Sequence, residues 1–100
     1  MKHLPSLTTR VRIPEGVISH EVQDELFILH PQANDCFVLD SIGARIWHLI
    51  ETHQPLKKVL DSLMQEYEVT EAECGQDILS FVAQMLEKRV LEISKDEETK

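Results

Sequence analysis

The sequence predicts a small α+β domain in which a three-stranded antiparallel sheet comes first and a three-helix bundle follows. Apolar residues recur with a period of two as far as Leu39 and with a period of about 3.6 beyond it. Turn residues interrupt the first part, whereas a proline and a capping motif interrupt the second. Strands and helices segregated in this way are typical of domains whose helices cover one face of a sheet.

Length and composition fit one domain with a modest core. The chain has 100 residues, a formal net charge of -8 and 42% hydrophobic residues. No run of about 20 apolar residues and no basic start followed by an apolar segment is present, so we expect no membrane span, no signal peptide and a cytoplasmic location. Cys36 and Cys74 lie far apart and form no Cys-x-x-Cys pair, which favours two free thiols.

The sheet is predicted from three β-rich runs, "VISHEV", "LFILH" and "CFVLD", separated by the turns "QDE" and "PQAND". Three strands joined by tight turns predict an antiparallel meander. Residues 1–15 are expected to form an N-terminal arm that is mobile at its start and extended in "TRVRIP". The domain itself is expected to cover residues 16–93.

The first helix is predicted to begin at Asp40 or Ser41, either of which can cap it. Its apolar side consists of Ile42, Ile46, Leu49 and Ile50, with Trp47 beside them as a core residue rather than a ligand platform.

The second helix is predicted from Pro55 to about Tyr67, and the third from about Glu71 to Arg89. Thr70 with Glu73 three residues later has the spacing of a capping box. "VLEI" can add a short last strand, and residues 94–100, "SKDEETK", are expected to be a charged, disordered tail.

The triplet Asp40-Ser41-Ile42 raises an alternative function. Acyl and peptidyl carrier proteins bear phosphopantetheine on the serine of such a triplet at a helix start. A carrier needs a helix and a long loop before that serine and an acidic helix after it, whereas here two β-rich runs precede it and Arg45 and His48 follow. Capping is therefore the favoured role of Ser41, and the carrier protein is the alternative.

The sequence gives little support for metal binding, phosphate binding or catalysis. Of the five histidines, His48 and His53 are five residues apart and the rest lie in separate elements, so no pair has the spacing of metal ligands on one helix face. The three glycines are scattered and form no phosphate loop. We expect no enzyme activity, no cofactor and no metal.

The distribution of charge also argues against nucleic-acid binding. A sheet with three helices is winged helix-turn-helix-like, and such folds insert their last helix into DNA. The predicted third helix contains four acidic residues but only Lys88 and Arg89 as basic ones, so it would repel phosphates.

Several motifs together resemble the PqqD-like family, whose members are also called RiPP recognition elements, where RiPP means a ribosomally made and post-translationally modified peptide. The strand "CFVLD" runs into Gly43, Ile46 and Trp47, and "Y-x-V" follows at Tyr67 and Val69. The third-helix pattern is formed by Asp77, Ile78, Phe81, Val82 and Met85. The family commonly has Asn where Asp40 stands and Gly where Arg89 stands, so the third helix is expected to end differently here.

The resemblance implies a non-catalytic binding module for the leader segment of a precursor peptide. The leader would add as a strand to the edge of the third strand and lie against the third helix, and a modifying enzyme (a protease, a cyclase or a radical SAM enzyme) would act on the rest of the peptide. The protein would be a monomer or an edge-paired homodimer. For Phe81 two roles stay open: its side chain either lines the groove or packs in the core. The expected peptide-binding residues are Cys36, Phe37, Val38, Leu39 and Asp40 on the strand, and Asp77, Phe81, Gln84, Met85 and Lys88 on the helix.

Overall fold

The computed structural model describes residues 5–32 and 35–94, which form five strands and three helices. The order confirms the predicted α+β fold with its three-stranded sheet followed by helices. Ala33 and Asn34 of the predicted "PQAND" turn, the first four residues of the arm and residues 95–100 of the predicted tail lie outside the described residues. The elements are β1 (Val11–Arg12), β2 (Ile18–Val22), β3 (Glu25–His30), β4 (Asp35–Leu39), α1 (Ser41–Thr52), α2 (Leu56–Glu66), α3 (Glu71–Glu87) and β5 (Glu92–Ile93).

The main sheet has the antiparallel order β2-β3-β4. A two-residue turn joins β2 to β3, and Gln23 in that turn has a φ of 57°. Side chains of a strand alternate between the two faces of a sheet. Leu26, Ile28 and Leu39 point toward the helices and are buried in the core.

The described residues of the predicted N-terminal arm pack against the rest of the protein. β1 pairs with β5 in a second, two-stranded antiparallel sheet, and Val11 is buried. The backbone N–H groups of Leu56 and Lys57 donate to the carbonyls of Thr9 and Leu7 at 3.0 and 2.8 Å. The residues from Leu7 onward therefore pack on the start of α2, while a domain boundary near residue 16 stays a prediction.

α1 begins at the predicted junction with Asp40, one of the two candidate caps, as its N-cap, so the capping role favoured for Ser41 is wrong. The carboxylate oxygen Oδ1 of Asp40 accepts a hydrogen bond from the backbone N–H of Gly43 at 2.9 Å, and Ser41 is the first helical residue. Trp47 is fully buried, which confirms its assignment to the core. Ile42 differs from the expectation: it is 48% exposed because it lies beyond the edge of the core.

The other two helices begin close to their predicted positions. Pro55 is the N-cap of α2 and not part of its first turn. At α3 the hydroxyl of Thr70 accepts from the backbone N–H of Glu73 at 3.1 Å, which confirms the predicted cap.

α3 ends at Glu87, two residues earlier than predicted. Arg89 adopts the left-handed region, with φ 65°, and its N–H donates to the carbonyl of Leu86. A left-handed residue after the last turn is the common way to end a helix, and glycine usually occupies that position. Arg89 therefore adopts the backbone geometry that glycine usually has at this position. α3 ends in the common way, and the different ending that we expected from an arginine at this position is not found.

Candidate functional site

The free edge of β4 is the first component of the candidate site. Within the described residues β4 hydrogen-bonds only to β3, so its other edge presents backbone N–H and C=O groups that no strand pairs. Five residues of strand span about 16 Å. An edge of this length can receive another extended segment.

α3 supplies the second component. Asp77, Gln84 and Lys88 are exposed, and Phe81 is half-buried; at spacings of four, three and four they follow one side of the helix. Eleven residues of helix rise about 16 Å, so this side matches the β4 edge in length.

Two aromatic rings line the groove between β4 and α3. Phe37 faces the helices from β4, is half-buried against the core, and lies 4.9 Å from Nζ of Lys88, measured to the ring centroid. That distance allows a cation–π interaction between β4 and the end of α3. Lys88 therefore connects the two walls at one end of the groove.

Phe81 contacts the opposite end of the groove. A Cβ atom at Gly43 would lie 3.3 Å from Cβ of Leu39 and 3.5 Å from Cε1 of the Phe81 ring. The first turn of α1 therefore approaches both β4 and α3 closely at a residue without a side chain. Phe81 is half-buried and packs against the core cluster, which agrees with the core role, while its contact with a peptide stays a prediction.

The structure separates the ten expected site residues into three groups. The side chains of Phe37, Asp77, Phe81, Gln84 and Lys88 lie along the groove or its rim, with Asp40 at the end of β4. Cys36 and Val38 point to the opposite face of the sheet, so toward the groove they offer only backbone.

Met85 does not line the groove in this structure, and neither does Leu39. Met85 is 2% exposed and Leu39 is 8% exposed, and both belong to the core cluster. Met85 follows Phe81 by four residues but is turned toward the core. Its expected contact with a bound peptide stays a prediction.

A small apolar pocket, which we call the end pocket, lies beyond the end of β4. It has a volume of about 200 Å³ and shares Asp77 with the groove. The sequence analysis did not assign three of its exposed apolar residues to the site, although two of them form the "Y-x-V" motif. Its lining residues are Ile42, Ile46, Leu63, Tyr67, Val69, Cys74, Asp77 and Ile78.

Cys74 in the end pocket is not an activated nucleophile. Burial raises the pKa of its thiol, and the negative charge of Asp77 raises it further. A thiol with a raised pKa stays protonated at neutral pH and reacts slowly. In the described parts of the chain there is also no group of three or more His, Cys, Asp or Glu residues able to hold a metal ion.

No helix within residues 5–32 and 35–94 combines the length and apolar character that crossing a membrane requires.

Fold and groove define a class of domain: a sheet in which the free edge of β4 lies beside an exposed helix face, the geometry of a site for strand addition. The family model described as coenzyme PQQ synthesis protein D (PqqD) matches residues 25–91. The chain therefore belongs to the PqqD family, as its motifs predicted. A comparison with curated proteins gives no match.

Two solved structures are similar to the chain. One is TbiB1 in complex with the TbiA(beta) leader peptide, with 32% identity and a TM-score of 0.77 over 81% of this chain and 94% of that one. The other is a lasso peptide synthetase B1 complexed with its leader peptide, with 18% identity and a TM-score of 0.76 over 83% of this chain and 98% of that one. At that lower identity the second likeness shows the fold alone. Neither comparison gives support to a carrier protein.

Proposed function

We propose that this protein binds the leader segment of a ribosomally made precursor peptide. The leader adds as a fourth strand to the free edge of β4 and packs its inward side chains against α3. The observation that carries the proposal is the free edge of β4 facing a groove lined by Phe37 and Phe81. The leader peptide bound to TbiB1, a relative of 32% identity, supports it.

Backbone pairing alone would not hold such a peptide. About five hydrogen bonds contribute roughly 1 kcal/mol each, and ordering a disordered segment costs about 2 to 5 kcal/mol. One or two buried apolar side chains add roughly 1.5 to 3 kcal/mol each, so the net binding free energy reaches at most about 9 kcal/mol, which corresponds to a dissociation constant just below about 1 μM. The end pocket, with Ile42, Tyr67 and Val69 exposed at its mouth, is a suitable receptor for such an anchor.

The protein's role would be non-catalytic delivery in the cytoplasm. Holding the leader leaves the rest of the precursor to an enzyme, such as a protease, a cyclase or a radical SAM enzyme. The domain that does this is assigned to residues 16–93, and it works without a cofactor.

The test uses the TbiA(beta) leader peptide, which is bound in the TbiB1 structure, labelled for fluorescence anisotropy. Gln84→Trp places a bulky ring in the groove from an exposed position, so we expect the dissociation constant to rise at least tenfold. Gln65→Trp is the matched control, because Gln65 is exposed on α2 away from the groove. Equal affinities for the two variants would contradict the proposed site.

The carrier-protein alternative has a separate test. The protein is incubated with coenzyme A and a phosphopantetheinyl transferase of broad specificity, and its mass is measured. We expect no change. A mass increase that Ser41→Ala abolishes would show that Ser41 bears the arm and would overturn the proposal.

A further inference from the structure

A second cavity, which we call the β3 cavity, lies between the end of β3 and the end of α3. Its volume is about 600 Å³. The buried Leu91 and the half-buried Leu86 supply part of its apolar lining. A cavity of this size with apolar walls and a few polar groups is typical of a binding site for a small ligand or a side chain. The lining residues that bear on its chemistry are Glu15, His30, Leu86, Arg89, Leu91 and Glu92.

Arg89 supplies the permanent positive charge of the β3 cavity. Glu92 is already paired with Arg12, whereas the exposed Arg89 forms no ion pair with any residue in the described part of the chain. Its left-handed backbone, with φ 65°, is unfavourable for a residue with a Cβ atom, and residues in such geometry cluster at functional sites. The guanidinium is therefore a candidate binding group.

His30 is the second polar group of the cavity. It is half-buried, and its Nδ1 atom is buried without a hydrogen-bond partner among residues 5–32 and 35–94. A buried polar atom in that state is uncommon and costs free energy. The χ2 torsion of histidine is soft, so the ring can turn Nδ1 toward the cavity. An N–H at that atom would then donate to an oxygen of a ligand.

Charge and shape favour a carboxylate as that ligand. The planar guanidinium of Arg89 presents paired N–H donors that match the two oxygens of a carboxylate. The exposed carboxylate of Glu15 opposes a second negative charge, so a phosphate group, with a charge of about -1.5 to -2, fits less well. The aliphatic part of a Glu or Asp side chain can lie against Leu86 and Leu91.

The β3 cavity adjoins the Lys88 end of the groove, and its link to a peptide rests on the proposed function. Lys88 contacts Phe37 in the groove, and Arg89 is the next residue. His30 pairs with Asp35, the first residue of β4. A strand added to β4 lies two strand spacings, about 10 Å, from β3, and roughly three or four extended residues span that distance. A peptide that leaves β4 beside Asp35 can therefore place a side chain in the cavity.

We propose that the β3 cavity binds a carboxylate side chain of the precursor peptide, roughly three or four residues beyond the segment that pairs with β4. Arg89 donates hydrogen bonds to that carboxylate, and His30 donates a further one. The groove holds the leader strand, whereas the β3 cavity selects peptides with an acidic residue at a set distance from it. Arg89 is thus a specificity-determining residue.

The test measures the preference for Glu over Gln in the bound peptide by fluorescence anisotropy at low salt. Residues of the TbiA(beta) leader that flank the segment on β4 are replaced one at a time by Glu and, in a matched set, by Gln. At a position beyond one end of that segment only, we expect the Glu peptide to bind at least threefold more tightly than its Gln counterpart. Elsewhere the net negative charge of the protein should give Glu no advantage.

Two matched variants assign the preference to the cavity. Arg89→Gln removes the guanidinium but keeps a Cβ atom at the left-handed position. We expect it to abolish the preference and to change affinity for the Gln peptide by less than twofold. Lys58→Gln makes the same loss of charge at an exposed position of α2 and should keep the preference.

The cavity is also tested without a leader. Amide shifts are followed during titration with N-acetylglutamate α-amide, whose one charge is its side-chain carboxylate, and with the matching glutamine compound. We expect saturating shifts at His30, Leu86 and Arg89 with the glutamate compound, and none with the glutamine compound or inorganic phosphate.

Any of three results would overturn the inference. The first is equal affinity of the Glu and Gln peptides at every position, and the second is a preference that Arg89→Gln retains. The third is a lack of saturation by the glutamate compound, or equal saturation by phosphate, which would indicate an unspecific anion site. If the wild type binds no leader at all, the proposed function fails, whereas glutamate-specific shifts would still support a carboxylate site in the β3 cavity.

Discussion

At the scale of single residues, Asp40 has the clearest structural role. It ends β4, caps α1 through the N–H of Gly43, and borders the groove. Ser41 beside it is exposed, and the cap does not depend on its hydroxyl. The Asp40-Ser41-Ile42 triplet is therefore the junction of a strand with a helix, and its aspartate rather than its serine holds that junction.

We expect Asp40→Ala to lower the free energy of unfolding by about 1 kcal/mol, because an N–H at the helix start loses its acceptor. Ser41→Ala is the matched control and should cost less than about 0.5 kcal/mol, as is usual for exposed positions without a specific role. Urea unfolding followed by tryptophan fluorescence measures both, since Trp47 is fully buried. Equal losses for the two variants would show that the serine shares the cap.

The end of α3 allows a stabilising change. For a residue with a Cβ atom, left-handed geometry costs roughly 1 to 2 kcal/mol. Glycine avoids this cost but loses more conformational entropy on folding, which reduces the gain by about 0.5 to 1 kcal/mol. We expect Arg89→Gly, at φ 65°, to raise the free energy of unfolding by about 0.5 to 1 kcal/mol. Arg89→Ala removes the charge but keeps the Cβ atom, so it should give no such gain; a similar gain from both would place the effect in the charge.

At the scale of elements, the edge of β4 makes a periodic prediction. Only every second residue of an added strand pairs its backbone with β4. Prolines placed along the leader should therefore weaken binding with a period of two, by roughly 1 to 3 kcal/mol where an N–H that bonds to β4 is lost. Anisotropy measures the affinities. Amide shifts on titration should be largest in residues 36–40 and 77–88, whereas a period near 3.6 would indicate a helical ligand and contradict strand addition.

The contact between α1 and α2 has a pH dependence. The guanidinium of Arg45 donates to Glu66, at 2.9 Å from Nε to Oε1, and this hydrogen bond lowers the pKa of Glu66. A carboxyl whose pKa is lowered by folding stabilises the fold above its unfolded pKa, and the effect is lost as pH falls through the lowered value.

We expect Glu66→Gln to melt at a lower temperature than the wild type at pH 7, and the difference to shrink as pH falls below about 4. The effect is small because the pair is largely exposed to solvent. Melting curves from pH 7 to pH 2.5 measure it, with Glu68→Gln as the control for loss of a carboxylate. A difference independent of pH would contradict an ionic origin.

Elements were easier to predict than the site. The change of period after Leu39 and the capping residues determine where strands and helices begin, because these are local properties of the chain. Met85 and Ile42 show the limit: each has the helical spacing of its group, but its burial depends on which neighbouring element reaches it. Tyr67 and Val69 were noticed as a motif, yet their place in the end pocket depends on how three helices meet.

At the scale of the whole molecule, the two faces of the sheet have different surroundings. The helices cover one face, and within the described residues the other remains exposed and lacks Lys and Arg. The groove opens at the edge between these faces. A bound peptide would therefore touch the helical side and the exposed side at once.

The pairing of β1 with β5 also brings together the segment that precedes the main sheet and the segment that follows α3. Val11 lies opposite Ile93, and Arg12 lies opposite Glu92. A chain that enters and leaves side by side can be inserted into a loop of a host protein through a single attachment point. Neither β1 nor β5 belongs to the main sheet, so such an insertion would leave the β4 edge uncovered. A leader-binding domain could therefore be inserted into an enzyme without any change to its own binding surface.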